Sequence, residues 1–137
     1  MFSLSNDNIQ FPKSVAEELF PKGKIFHSYP AVKIARLGVA DGLRGAKIGA
    51  KIILFLKIFF VVKNKTGCRY ITVDAYNKAR VLNFYQKNGF TLFPIKNPGK
   101  RNTIPLYFDL MPIWNWLESD PEKLESAIQM VSDINLL

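Results

Sequence analysis

The segment Ile52–Val62 constrains the fold of this chain more than any other. Its eleven residues are apolar except for Lys57, and they sit inside a helical pattern running from about Ile48 to Lys63. A bilayer span needs about 20 apolar residues, so the run reads as a buried helix and the chain as one without a membrane span. Lys47, Lys51, Lys57 and Lys63 do not gather on one helical face. The helix is therefore apolar nearly all round, and such a helix must be covered on most of its sides.

The entry to that helix carries chemistry. A strand-like run, Val32–Val39, leads into a short basic loop bearing glycines, and the loop opens directly into the helix. Amides of a first helical turn have no intrahelical acceptor, and the helix dipole adds partial positive charge, so strand, glycine loop and helix start together suit an anion such as phosphate. Gly45 and Gly49 allow close approach, and Arg44 and Lys47 add full charges. The spacing is neither Walker A nor a clean Gly-x-Gly-x-x-Gly. An ordinary strand-to-helix turn with solvated charges fits the same residues.

At 137 residues and 48% apolar content the chain suits one globular domain with a real core. A single cysteine, Cys68, excludes an internal disulfide framework and fits a reducing, cytoplasmic compartment; it is expected as a buried thiol. Residues 1–20 mix polar and acidic residues with Pro12 and do not form a signal peptide. Charge is uneven. Residues 1–110 hold 18 Lys and Arg against 6 Asp and Glu, whereas residues 111–137 hold 1 against 5. The basic part suits a polyanionic ligand, a nucleotide cofactor or nucleic acid, and equally a merely soluble basic surface.

Local signals give the element order. Phe2–Ser5 reads as a strand and Asn6–Gln10 as a loop. Ser14, with Glu17 three residues on, is placed to cap a helix over Val15–Phe20. Arg69–Val73 is a β-branched strand, and Asp74–Asn77 a loop whose Asn77 can cap a helix over Lys78–Lys87. Asn88-Gly89 ends that helix. Phe90–Phe93 and Leu106–Leu110 read as strands around a basic loop, Ile95–Asn102. The fold class is α/β or α+β. After residue 110 comes a tail, 111–137, in which Pro121 can start a helix with Leu124, Ile128 and Val131 in one stripe.

Two of these segments resemble one family. Arg44-Gly45-Ala46-Lys47-Ile48-Gly49 resembles the acyl-CoA pyrophosphate loop of the GNAT N-acetyltransferases. Asn77-Lys78-Ala79, followed by Phe84-Tyr85 and Gly89-Phe90, resembles the family's second signature. Leu37-Gly38-Val39 fits the strand before the loop. The resemblance covers about Ala31 to Leu110, inside a domain of residues 1–110. It implies a mixed, mostly antiparallel twisted sheet flanked by helices, with a V-shaped splay between two central parallel strands. It implies acetyl-CoA as cofactor and a primary amine as acceptor, joined by direct attack. Pantetheine would lie in the splay, with the amides near Leu37, Gly38 and Val39 at the thioester carbonyl. The amides from Arg44 through Gly45, Ala46, Lys47, Ile48 and Gly49 to Ala50 would hold the pyrophosphate. Asn77 would bond the pantetheine arm, and Tyr85 would protonate the departing thiolate as general acid. The residues by themselves also allow Asn77 as a helix cap and Tyr85 as a half-buried aromatic. No metal site is expected, and His27 has no neighbouring ligands.

The chain departs from the family pattern twice. Lys47 stands where the loop usually has glycine, so a Cβ meets a backbone suited to glycine while the ammonium can pair with phosphate. The front of the fold is also short, since the strand at Phe2–Ser5 matches the one two before the loop. That makes the apolar helix harder to bury. A homodimer, cover by the tail, and a late start codon are three answers. The acceptor is open, and the basic body together with the Pro30–Val39 run is similar to the toxin branch of the family, which acetylates aminoacyl-tRNA. A CoA-binding or partner-binding module without catalysis is the alternative from another class. No general base stands out; Asp41, Glu17, Glu18 and a water relay are equal candidates.

Overall fold

A computed structural model describes residues 2–20, 28–37, 47–63 and 67–134, with the side chains of Arg36 and Ile134 excepted. The elements are β1 (Phe2–Ile9), α1 (Lys13–Leu19), β2 (Tyr29–Leu37), α2 (Ile48–Val62), β3 (Tyr70–Tyr76), α3 (Ala79–Lys87), β4 (Thr91–Leu92), β5 (Thr103–Asp109), α4 (Met111–Glu118) and α5 (Pro121–Ile134). The five strands form one sheet in the order β1-β2-β3-β5-β4. Only β2 and β3 run parallel; the other neighbours are antiparallel. This is the mixed sheet with two central parallel strands that the resemblance implies.

β3 is central because it can be buried on both faces. Tyr70, Ile71, Thr72, Val73 and Ala75 are all buried. On one face Ile71 and Val73 join Val32 and Ile34 under α2 and α3. On the other, Tyr70 joins Tyr29, Ala31 and Ile9, with Phe11, Phe20, Phe93 and Tyr107 packed around them. Phe11 meets Tyr70 and Tyr107 edge-on at 5.4 and 5.1 Å between centroids, the arrangement that ring quadrupoles favour.

The apolar helix is covered by the sheet and by the tail. Ile53, Leu56, Lys57, Phe60 and Val61 of α2 are buried. Leu117 of α4 and Ala127 of α5 belong to the same core, with Ile113 and Leu124 beside them. The tail therefore supplies cover for α2, one of the three answers left open above. Leu54 stays 57% exposed.

Several local expectations are corrected. β1 continues through Asn6–Ile9, because β2 supplies a partner for every rung to Ile9↔Tyr29 and an edge strand tolerates polar residues. β3 continues through Asp74–Tyr76 because β5 pairs with it there. β5 starts earlier, at Thr103. Ser14 makes no cap bond; Pro12 is the N-cap of α1. The N-cap of α3 is Lys78, not Asn77. On α5 the inward stripe is Leu124, Ala127 and Val131, and Ile128 is 42% exposed. The aromatic stretch from Pro112 is helical, as α4: proline is compatible with a first helical turn, and the Met111 amide donates to Asp109 Oδ1 at 3.0 Å.

Candidate active site

The parallel strands separate where the resemblance places the cofactor. The rungs between β2 and β3 run from Ala31↔Tyr70 to Ile34↔Val73 and stop there. β2 goes on to Leu37 against β1, and β3 goes on to Tyr76 against β5. The edges of Ala35–Leu37 and Asp74–Tyr76 that face each other do not pair with one another. A register shift lies at the same point: Leu4 faces Ile34 but Ser3 faces Arg36, so Ala35 is an extra residue in β2. Such a bulge kinks the strand and puts Ile34 and Leu37 on one side, where both pack in the α2 core. Unpaired strand edges offer backbone donors and acceptors to an extended amide-bearing ligand.

Helix α2 begins beside this opening in sequence. Its ladder starts with the Lys51 amide bonding the Lys47 carbonyl at 3.1 Å. The amides of Ile48, Gly49 and Ala50 precede it and have no helical acceptor. No acidic residue lies in the first turn. Lys47 itself is left-handed, φ 56° and ψ 28°. This is the physical content of the departure seen in the sequence: the backbone keeps a glycine-type conformation, at a strain of about 1 kcal/mol for a residue with a Cβ. Gly49 has a second reason to be glycine. A Cβ there would stand 3.1 Å from Phe84 Cζ, so the ring would have to give by a few tenths of an ångström at the α2–α3 crossing. Gly38, Val39, Arg44, Gly45 and Ala46, expected at the cofactor, lie outside the described residues, as does Asp41.

Tyr85 lies on α3 and is 7% exposed, edge-on to Phe84 at 5.1 Å and Phe90 at 5.6 Å. Every fully occluded side-chain nitrogen or oxygen among the described residues has a partner. Burial pushes the Tyr85 phenol above its ordinary value, which keeps it protonated and able to donate. Asn77 follows β3 immediately. Its side-chain amide donates to the carbonyls of Pro98 and Arg101, both at 2.9 Å, which ties the end of β3 to the basic 95–102 loop. Oδ1 is the Asn77 atom left to accept a bond from a ligand amide.

Behind Tyr85 lies a buried ammonium. Lys57 Nζ donates to the Asn88 carbonyl at the C-terminus of α3 and lies 3.9 Å from the centroid of Phe108. Burial lowers its affinity for the proton, while the ring face and the helix C-terminus favour the charge. Lys57 therefore joins α2 to the end of the helix that carries Tyr85. The sequence showed only a lysine interrupting an apolar run.

The opposite face of the sheet holds a polar group that sequence reasoning missed. Lys33 Nζ lies 3.0 Å from Asp74 Oδ2 and 3.7 Å from Asp7 Oδ2, and Thr72 Oγ1 donates to Asp7 Oδ2 at 2.7 Å. The hydrogen bond to Asp74, aided by the charges of Asp74 and Asp7, raises the Lys33 proton affinity. Asp7 and Asp74 sit in stretches that read locally as loops, and only the β1-β2-β3 register brings them to one lysine. They border a cleft of about 360 Å³ that Phe93, Ile95 and Arg101 also line. Among the described residues no three His, Cys, Asp or Glu side chains converge as a metal site, and no helix is long and apolar enough to cross a membrane.

Solved structures share this architecture. A bacterial toxin aligns at 18% identity and TM-score 0.61, over 87% of this chain and 64% of its own. AtaT in complex with acetyl-methionyl-tRNAfMet aligns at 19% and 0.63, over 82% and 62%. AtaTR bound with acetyl-CoA aligns at 21% and 0.57, over 82% and 62%. The chain thus spans a little over three fifths of the length of each. No protein-family model and no curated protein matches the sequence. The fold is that of the GNAT N-acetyltransferases. Among the proteins that share it are AtaT and its toxin relatives, and the likeness at these identities is one of fold.

Proposed function

We propose that the chain is an acetyl-CoA-dependent N-acetyltransferase for a primary amine. The observation that carries the reading is the splay between β2 and β3, with its bulge at Ala35, in the strand that leads to the uncapped N-terminus of α2. An extended amide-bearing arm fits the splay, and a pyrophosphate fits a glycine-bearing helix start without acidic neighbours. The bound AtaTR complex with acetyl-CoA supports the same ligand for this fold.

When bound, acetyl-CoA supplies the acetyl group as a thioester. Backbone amides near Leu37, Gly38 and Val39 would hold the carbonyl oxygen, where negative charge develops. The loop from Arg44 through Gly45, Ala46, Lys47, Ile48, Gly49 and Ala50 would hold the pyrophosphate. Asn77 orients the arm through Oδ1 while its amide stays on the Pro98 and Arg101 carbonyls. Tyr85, whose phenol burial raises, keeps its proton at neutral pH and would donate it from the hydroxyl oxygen to the leaving thiolate.

The acceptor class has a second reading, aminoacyl-tRNA. Its specific support is the exposed basic loop carrying Lys96, Lys100 and Arg101, set beside the AtaT complex with acetyl-methionyl-tRNAfMet. Titration of the protein with acetyl-CoA by calorimetry, with free thiol followed in the same sample, tests the main reading. Saturable binding with amine-dependent thiol release is expected. Binding without release for any amine, aminoacyl-tRNA included, would leave a CoA-binding module; absence of binding would remove the cofactor assignment.

A further inference from the structure

We propose that Lys57 is a positioning residue for Tyr85: its ammonium locks the turn that ends α3, and that lock fixes the phenol in the place from which it donates. The role of Tyr85 as the acid rests on the transferase reading above; the lock does not.

The turn that ends α3 is a closed motif with Tyr85 inside it. The Phe90 amide donates to the Tyr85 carbonyl at 3.0 Å, and the Gly89 amide donates to the Gln86 carbonyl at 3.0 Å. With Gly89 at φ 88°, this is the double pairing of a Schellman cap. Such a cap carries an apolar contact between the residues its outer bond joins. Here the contact is Tyr85 against Phe90, edge-on at 5.6 Å between centroids. The backbone and the ring of Tyr85 are therefore both placed by this turn.

Lys57 secures the turn from the neighbouring helix. The carbonyls of Phe84, Tyr85 and Gln86 all have donors from within the turn. The Asn88 carbonyl instead takes Lys57 Nζ, from a residue 31 positions away. The same Nζ lies 3.9 Å from the Phe108 centroid and 5.6 Å from the Phe90 centroid. A Cβ on Gly89 would stand 3.3 Å from Nζ, so the ammonium also packs against the glycine. It thus meets Asn88, Gly89 and Phe90, the three residues that complete the cap.

Stability alone does not account for a lysine here. Lys57 is 9% exposed, and among the described residues no carboxylate lies within ion-pair distance of it. An ammonium buried in an otherwise apolar run costs more to place than a hydrophobic side chain of similar volume. What only the ammonium supplies is a donor for the Asn88 carbonyl. Without it that carbonyl loses its partner, and the turn behind Tyr85 loses its tie to α2.

The test uses four full-length proteins: wild type, Lys57→Met, Tyr85→Phe and the double variant. Methionine keeps the apolar stem and removes the donor. Hydrogen exchange is read by NMR at the amides of Asn88 and Phe90, which bond the Tyr85 carbonyl at 3.1 and 3.0 Å. In Lys57→Met these amides should exchange about tenfold faster once normalised to the β3 amides, the scale of one hydrogen bond from a charged donor. Thiol release from saturating acetyl-CoA is followed with methionyl-tRNA and with n-butylamine as acceptors. Lys57→Met should lower kcat about tenfold while acetyl-CoA affinity stays within about twofold. In the Tyr85→Phe background the same change should leave kcat as it is, because a residue acting through Tyr85 has nothing left to position. A merely structural lysine would lower kcat by one factor in both backgrounds. Lys57→Gln, which removes the charge, serves if Lys57→Met does not fold. Unchanged exchange at Asn88 and Phe90, or an equal loss of kcat in both backgrounds, would overturn the proposal. A wild type without turnover on either acceptor would overturn the acid role of Tyr85 and the positioning role with it, while the exchange rates still decide the lock.

Discussion

Gly49 has two duties in this structure, and a double-mutant cycle separates them. A Cβ on Gly49 would meet Phe84 Cζ at 3.1 Å and Cε2 at 3.4 Å. The phenyl ring must then move by a few tenths of an ångström, and it is held on its other side by Tyr85 at 5.1 Å between centroids. Overpacking of this kind costs about 1 kcal/mol at its mild end. Alanine in place of glycine in a helix returns up to about 1 kcal/mol. Gly49→Ala should thus be near neutral in stability, because two terms of similar size oppose. In the Phe84→Leu background the shorter side chain removes the contact, and the same Gly49→Ala change should stabilise by about 1 kcal/mol. The coupling between the sites is then about 1 kcal/mol, readable by urea unfolding of the four proteins with a common slope. Acetyl-CoA affinity, measured on the same four, reports the second duty. If glycine is needed for approach of the phosphate, the affinity lost in Gly49→Ala stays lost when Phe84 is shortened; if packing alone matters, it returns. A coupling below about 0.3 kcal/mol, the level at which independent sites add, would refute the packing argument.

Three further outcomes are expected. Tyr85→Phe should lower turnover while acetyl-CoA affinity stays within a few-fold. Because burial raises this phenol, the alkaline loss of wild-type activity should fall above the ordinary tyrosine value of 10.0, and equal turnover of the variant would remove Tyr85 from the acid role. For Lys57 the folded proton affinity is lowered, so as pH rises through that depressed value the folded state releases a proton that the unfolded state keeps up to about 10.5. Its contribution to stability therefore rises with pH in that window, and Lys57→Met should abolish the rise, measured as the difference in unfolding free energy between the two proteins from neutral pH to pH 10. Lys47→Gly should be more stable than Lys47→Ala by about 0.5–1 kcal/mol because only the second keeps a Cβ at φ 56°, a difference thermal unfolding would show as a few degrees.

The sequence by itself determined the elements whose signals are local. The apolar run Ile52–Val62 required a covered helix, and α2 is that helix. The β-branched run at residues 69–73 required a buried strand, and β3 is central. The glycine loop and the Asn77-to-Phe90 segment, in that order along the chain, carried the resemblance that implied the sheet and its two parallel strands. What only the tertiary structure decided depends on partners far along the chain. Asn6–Asn8 and Asp74–Tyr76 are polar enough to read as loops, and they become strand because β2 and β5 supply their ladders. Met111–Glu118 becomes helix because Asp109 receives its first amide and α2 needs cover. The same holds for the site. Tyr85 and Gly49 could be singled out by local pattern. The Asp7–Lys33–Asp74 group and the Lys57 clamp could not, since a charge acquires its meaning from neighbours that only register and helix packing bring within 4 Å.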